Sequence, residues 1–311
     1  MSDKVEFVLF ADDSNFMLSS ANPKELEKSL NSELRDIKDY FDSNGLSINT
    51  EKTTYLQFCP KNKKRAILKI SLGDYELKEK EQTTFLGIII DNKLSFKYHF
   101  DKVYKKVKTG LNGLILSRNF LNYRAKLNIY NSLIHSHLIY GAIIWISNIS
   151  KKNLKSLQTL QKKALRAVFK KKYNAHTDNL FYKANITKVE NIFTKESLLL
   201  MYKHENKTLP LETSKLIDTH LEGTQETSNN IQTYLERPTI LTRSRKKIEY
   251  KPKRGISKGN TLFDIIENWN KNSKDLQTDF NISTFKKLIV KTQNTFTACS
   301  IANCYSCNNT E

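Results

Sequence analysis

Long apolar runs are missing from this sequence. No stretch reaches the ~20 residues that a membrane-spanning helix needs, and no charged-then-apolar signal pattern stands at its start. Cysteine is scarce as well. Cys59, Cys299, Cys304 and Cys307 are the four in 311 residues, too few for a disulfide framework, which suits a reducing compartment. The expectation is an intracellular protein of nucleus or cytoplasm, not secreted, with no membrane partner. There is no internal repeat. Acid is also in short supply: 32 Asp and Glu stand against 51 Lys and Arg, a net charge of +19. That excess exceeds what solubility requires and favours a polyanionic partner, nucleic acid before a membrane surface. The length allows two modest domains or one elongated one.

The opening stretch, Val5 to Leu18, is two apolar runs flanking Asp12-Asp13-Ser14-Asn15. Such a polar break between strand-like runs predicts a β-hairpin with acids at its tip, because Asp, Ser and Asn tolerate turn dihedrals. An Asp-Asp pair in a turn is by default a solvated turn. The same pair on a stiff ribbon is also a ligand set for hard divalent cations, and two such ions can serve a phosphoryl displacement.

Asn22-Pro23-Lys24-Glu25 opens a helix whose stripe is Leu26, Leu30, Leu34, Ile37 and Phe41, closed at Gly45. Strand-like segments follow around Leu46 to Phe58. A second hairpin turns at Gly73-Asp74, between Leu68-Ile70-Leu72 and Tyr75-Leu77. Phe85 to Ile90 reads as one short buried strand closed by a turn at Asp91-Asn92-Lys93. After Tyr98 the period becomes helical. Phe100, Val103, Val107, Leu111 and Leu114 mark one helix, with Lys102, Lys105, Lys106 and Lys108 on its other face. Leu127 to Trp145 forms a central helix, Leu154 to Val168 a third followed by Lys170-Lys171-Lys172, and Ile192 to Tyr202 a fourth. From Asn206 to Gly259 the sequence is polar, read as loop or poorly ordered chain. It holds a basic run, Arg243, Arg245, Lys246, Lys247, Lys251, Lys253, Arg254 and Lys258, a solvated loop or a nucleic-acid contact. Two short amphipathic helices follow, around Leu262–Trp269 and Phe285–Ile289.

These blocks, in this order, resemble the reverse transcriptases of non-LTR retrotransposons, LINE-like and of the Jockey type, in their C-terminal part. Phe10-Ala11-Asp12-Asp13 is similar to the aspartate pair of the polymerase palm, and Asn44 to Thr53 to the next palm motif. Phe85-Leu86-Gly87 with Asp91, Leu94 and His99 resembles the primer-grip strand and turn. Tyr130 to Gly141 with Trp145 resembles the thumb. Looser likeness continues through Gln161–Arg166, Trp269-Asn270 and Ser283–Lys286.

The resemblance implies an α+β fold. Residues 1–97 would be a partial palm of antiparallel hairpins with a packed helix, and 98–206 a helical thumb. A polar, basic linker would cover 207–259, with C-terminal helices and a cysteine-bearing tail over 260–311. It implies RNA-directed DNA synthesis by two-metal nucleotidyl transfer. Asp12 and Asp13 would bind Mg2+, and Lys52 would assist the pyrophosphate leaving group; otherwise Lys52 is a solvated strand-edge lysine. Phe85, Leu86 and Gly87 would hold the primer end. Lys105, Lys106, Lys170, Lys171, Lys172, Arg243, Arg245, Lys246 and Lys247 would contact nucleic acid. Partners would be an RNA template, a DNA primer or hybrid, and dNTP in a complete enzyme.

The family also uses a further aspartate and finger residues upstream of the pair, where only Met1 to Ala11 stand here. The expectation is therefore a truncated palm, inactive by itself unless an upstream polypeptide completes it. The alternative is a basic nucleic-acid-binding remnant without chemistry. His99, His135 and His137 read as helix or interface residues. Cys299, Cys304 and Cys307 offer three ligands where structural zinc wants four. Cys59 or His204 would have to arrive from afar, so a loose tail is the simpler reading than Zn2+.

Overall fold

The computed structural model describes residues 5–59, 64–219, 261–272 and 281–293. The chain parts into two compact units, 1–95 and 96–311. Together they mix helices with small, mainly antiparallel hairpins, an α+β composition.

In the first unit β1 (Glu6–Phe10) pairs antiparallel with β2 (Asp13–Met17). Helix α1 (Pro23–Ser43) starts as its sequence dictates: Asn22 Oδ1 accepts the Lys24 N–H at 3.0 Å, and Pro23 takes the first position. Its end is a Schellman motif. Gly45 sits at φ 68°, its N–H donates to the Asp42 carbonyl, and the Leu46 N–H donates to that of Phe41. Leu34 and Ile37 are buried against Leu68, Ile70, Leu72 and Leu77, with Phe7 and Phe16 of the first hairpin packed on the same cluster. Polar side chains fix the docking. Asn31 Nδ2 donates to the Lys69 carbonyl at 2.8 Å, and Asn31 Oδ1 accepts the Ser71 N–H at 2.9 Å. Glu27 accepts the Lys69 N–H at 3.0 Å. One face of α1 thus satisfies backbone groups that a neighbouring strand would otherwise take.

Strands β4 (Ser71–Leu72) and β5 (Tyr75–Glu76) make the expected hairpin at Gly73, φ 61°. Flanking them in sequence, β3 (Thr54–Tyr55) pairs parallel with β6 (Lys78–Glu79), a non-local pairing that no sequence pattern announced. One expectation is corrected here. Phe85 to Ile90 is not a single strand: β7 (Gln82–Phe85) and β8 (Ile88–Asp91) pair antiparallel, with Phe85 opposite Ile88. Leu86 and Gly87 form the turn at φ 45° and 82°, the positive pair that a tight hairpin of matching twist requires. A continuous apolar run hides such a reversal, because its periodicity is the same on both sides of the turn. Asp91 is buried and organises the next turn, accepting from the Lys93 and Ser95 N–H groups at 3.1 Å and from the Ser95 hydroxyl at 3.2 Å.

The second unit is helical. Helix α2 (Lys97–Ser117) buries Phe100, Val103, Val107, Leu111 and Leu114. The long central helix expected from Leu127 to Trp145 is broken into pieces. Helix α3 (Tyr123–Tyr130) widens through a π-helical stretch, Asn131–His135, into α4 (Ser136–Ile139). Tyr140 then turns extended and Gly141 left-handed, φ 57°, before α5 (Ala142–Trp145). The Trp145 indole donates to the Tyr140 carbonyl at 3.0 Å and stitches the break. Tyr130, Ile134, Leu138 and Trp145 are all fully buried, so the stretch is central as expected though not continuous.

Helix α6 (Lys151–Val168) buries Leu157, Leu160, Ala164, Leu165 and Val168. Short α7 (Asp178–Ala184) and then α8 (Val189–Glu205) follow. Gln161, fully buried, joins three of these segments. Its amide donates to the Tyr130 hydroxyl and the Thr187 carbonyl, both at 3.0 Å, and its carbonyl oxygen accepts the Val189 N–H at 2.9 Å. Helix α9 (Leu211–Asp218) stands where a polar loop was expected; its buried Ile217 gives too short a stripe to show periodicity. Helices α10 (Thr261–Asn272) and α11 (Ile282–Gln293) match the two amphipathic segments. Phe285 of α11 stacks on Tyr202 of α8 at 4.2 Å. Among the described residues no helix is long and apolar enough to cross a membrane.

Candidate functional site

The acidic pair stands at the end of the first ribbon. Phe10 pairs with Asp13, so the chain reverses through Ala11 and Asp12, with Ala11 at φ 51°. Side chains alternate along a strand. Asp13 therefore shares a face with Phe10 and Val8, opposite Phe7 and Phe16. Those two rings meet edge-on at 5.1 Å and anchor the ribbon to the α1 core. Both carboxylates are exposed, and neither has a hydrogen bond or ion pair among the described residues. Among the described residues no third acid, histidine or cysteine joins them there as a metal cluster. Phe10 and Met17 are exposed on the face that carries Asp13, and Leu9 is exposed on the other.

Lys52 lies in an exposed turn rather than on a strand edge. Its backbone N–H donates to Asn49 Oδ1 at 3.1 Å. No hydrogen bond or ion pair links Lys52 to Asp12 or Asp13. Phe85, Leu86 and Gly87 occupy the tip of the β7–β8 hairpin, the glycine exposed and the other two half-buried. These residues share the first unit, but no hydrogen bond or ion pair ties the acids to the rest.

The cationic candidates of the second unit divide by element. Lys105 and Lys106 are exposed on the outer face of α2, and Lys170, Lys171 and Lys172 follow the end of α6, exposed as a run. Lys105, Lys106, Lys170 and Lys171 have no carboxylate partner among the described residues. Unneutralised lysines on helix faces are what a phosphate backbone can take. Arg243, Arg245, Lys246, Lys247 and the cysteines Cys299, Cys304 and Cys307 lie outside the described residues. Of the two distant zinc-ligand candidates, Cys59 is half-buried, and His204 Nε2 lies 3.3 Å from Asp218.

The histidines are held in packing. His99 is buried edge-on against Trp145, ring centroids 5.3 Å apart, and His135 stacks on Tyr130 at 6.0 Å. Burial, with Lys102 near the first and Lys195 near the second, lowers both imidazoles to about 4. At neutral pH both are uncharged. Burial lowers His137 as well, with Lys106 adding to the effect.

The sequence reading missed one residue here. Lys126 is only 3% exposed although it is a lysine. Its signal was its register: Lys126, Tyr130, Ile134 and Leu138 recur every fourth residue, which sets an ammonium on the apolar stripe. Burial and the like charge of Lys170 both lower its proton affinity.

A two-stranded ribbon with exposed paired acids, followed by lysine-faced helices, defines a class that the sequence comparisons bear on directly. Over more than half its length the chain is similar to RNA-directed DNA polymerases of mobile elements, and the likeness supports a Jockey-type non-LTR reverse transcriptase. One relative is the RNA-directed DNA polymerase from mobile element jockey of Drosophila melanogaster, 26% identical over 169 residues, 53% of this chain and 18% of that protein. Another is the probable RNA-directed DNA polymerase from transposon BS of the same organism, 25% identical over 198 residues, 62% of this chain and 22% of that protein. The chain thus spans about a fifth of the length of these curated relatives. No protein-family model matches it, and no solved structure matches it.

Proposed function

We propose that this chain supplies part of a non-LTR reverse transcriptase: the aspartate hairpin of a partial palm, the primer-holding turn, and a helical thumb that clasps an RNA–DNA hybrid. The observation that carries the reading is the tip of the β1–β2 ribbon, where two adjacent carboxylates stand exposed and without partners. Such a pair gives the fold nothing. Like charges side by side repel, and neither acid caps, bridges or packs. The donor set fits Mg2+, which takes one or two carboxylates and completes its shell with water and substrate phosphates. Bound there, the ion would stabilise the charge that develops in nucleotidyl transfer.

Asp12 and Asp13 would hold the metal. Lys52, exposed and unpaired, would offer its charge to the leaving pyrophosphate of the dNTP. The Leu86-Gly87 tip would present backbone closely to the primer end, with Phe85 behind it. The lysines of α2 and those after α6 would hold hybrid backbone without regard to sequence. In this reading the protein works inside the cell, in nucleus or cytoplasm.

By itself the chain extends no primer in this reading, because among the described residues no third carboxylate completes the acidic pair. The exposed apolar face of Phe10 and Met17 is where a further segment would complete the palm, since a two-stranded ribbon gains stability from further strands. The same lack of a third acid favours the second reading, a nucleic-acid-binding remnant without chemistry. Primer extension on an RNA template with Mg2+ tests both. No elongation is expected from the chain alone, and elongation abolished by Asp12→Ala would overturn that expectation. Elongation that appears when a polypeptide carrying the upstream aspartate and fingers is added supports the polymerase reading; none under any addition supports the remnant. Both readings require hybrid binding that weakens steeply between about 50 and 200 mM salt. They also require it to survive the double change Asp12→Asn and Asp13→Asn.

A further inference from the structure

A cavity of about 300 Å³ opens between the first turn of α3 and the end of α6, lined among others by Asn122, Tyr123, Lys126, Phe169 and Lys170. Its chemistry is one-sided. Lys126 is almost wholly buried along its stem, while its ammonium keeps contact with solvent and has no hydrogen bond and no ion pair among the described residues. Lys170 adds a second cation, and no carboxylate is among the lining residues. The N-terminus of α3 borders the same space. Asn122 Oδ1 caps the Ala125 N–H at 2.9 Å, while the Tyr123 and Arg124 N–H groups have no partner among the described residues. The positive end of a helix and two lysines thus border one small depression. An ammonium with little water around it and a like charge beside it is unfavourable. An anion in the cavity removes that penalty and satisfies the donors.

The depression is open to solvent and bordered by cations and a helix N-terminus, which suits a phosphate group. The surroundings say which phosphate. Phe120, 88% exposed, stands one residue before the cavity segment at Leu121, and Tyr173, 89% exposed, stands three residues after Lys170. The exposed run Lys170–Lys172 lies between Phe169 and Tyr173. Aromatic faces in water beside a basic groove are stacking platforms for the bases of a strand. We infer that this cavity seats a backbone phosphate of a nucleic-acid strand, with Lys126 as its counter-charge and Phe120 and Tyr173 as flanking base platforms. The inference rests on the nucleic-acid-holding role proposed above for the helical unit and names the point of contact within it.

The test is fluorescence anisotropy of the full chain with labelled single-stranded RNA and DNA, alongside thermal melts. Lys126→Met is expected to weaken oligonucleotide binding about ten-fold, while the melting temperature stays level or rises because one of two neighbouring like charges has been replaced by an apolar chain of similar length. Lys126→Arg keeps the charge and is expected to stay within about three-fold of the parent. It also serves if the methionine variant does not fold. Lys183→Met, an exposed lysine on α7, controls for the loss of one charge and is expected to change affinity less than two-fold, as one screened surface charge should. Binding by the parent with equal losses in Lys126→Met and Lys183→Met would overturn this site while leaving the wider reading intact. No oligonucleotide binding by the parent would overturn the wider reading itself. Stabilisation of the parent by inorganic phosphate, absent in Lys126→Met and without oligonucleotide binding, would overturn the assignment to a nucleic-acid backbone.

Discussion

Gln161 is the strongest single test of how the helical unit is held together. Its side chain is fully buried and makes three hydrogen bonds of 2.9 to 3.0 Å, to the Tyr130 hydroxyl, the Thr187 carbonyl and the Val189 N–H. The last of these is a first-turn donor of α8 that the helix cannot satisfy itself. Gln161→Leu keeps the volume and removes all three partners at once. Each buried group left unmatched costs about 1–3 kcal/mol, and burying leucine in place of an amide returns part of that. The net loss works out at about 3–4 kcal/mol, a large share of the roughly 5–15 kcal/mol that a domain has. Tyr130→Phe removes one of the three bonds and should cost about 1 kcal/mol. In that background Gln161→Leu should cost about 1 kcal/mol less than in the parent, because one orphan is already gone. Urea unfolding followed by tryptophan fluorescence is well suited. Trp145 and Trp269 are the chain's two tryptophans and both are buried in this unit, so the signal reports it alone. A loss under about 1 kcal/mol, or no coupling with Tyr130, would show that Gln161 is a passenger rather than a joint.

Three further outcomes can be checked in the same way. A Cβ at Gly110 would lie 2.6 Å from the Leu133 carbonyl oxygen, while one at Gly113 on the same helix meets nothing within 4 Å. Gly110→Ala should therefore destabilise by about 2 kcal/mol, and Gly113→Ala should stabilise by about 0.5–1 kcal/mol; equal effects would refute the close approach. His99 and His135 are held near 4 in the folded state, so below the ordinary histidine value of about 6.5 the unfolded chain takes up protons that the folded chain refuses. Stability should fall as pH drops through the window from about 6.5 to 4, by at most about 3 kcal/mol per histidine; identical urea midpoints at neutral and mildly acidic pH would contradict this. Asp91→Ala removes the acceptor for two N–H groups and one hydroxyl and should cost the first unit about 2 kcal/mol, read by far-UV circular dichroism.

What the sequence made legible follows from the range of the interactions involved. The N-cap at Asn22, the closing Gly45, the turn at Gly73 and the stripes of α2, α6, α8, α10 and α11 are local patterns, and each stands where the spacing put it. The parallel pairing of β3 with β6 depends on residues more than twenty positions apart, which no window can sense. The reversal at Leu86-Gly87 was hidden because an isoleucine run continues after it. The break at Tyr140-Gly141 was hidden because apolar residues keep the helical period across it. For the site, the acids at a ribbon tip were readable from residue type and flanks. Lys126 was not, because its importance comes from burial, a property of the folded chain.

The same contrast separates residues that serve the fold from residues that the fold merely carries. Gln161, Asp91 and Gly110 all break a simple rule of composition, being polar or small in buried places, and each is explained by what it touches. Asp12, Asp13 and Lys126 break the rules with no such return. Among the described residues, two acids share a tight turn with nothing to neutralise them, and one lysine, buried along its stem, holds its ammonium near another cation with nothing to accept from it. A sequence shaped for stability alone would have replaced them, since each replacement is neutral or favourable for folding. Their charges are complementary to two different parts of one class of partner. The acids suit a divalent cation carried with phosphates, and the lysine suits a phosphate itself. Three charges that the fold does not use thus accord with phosphate chemistry, which is physical support, independent of the sequence likeness, for the nucleic-acid role proposed above.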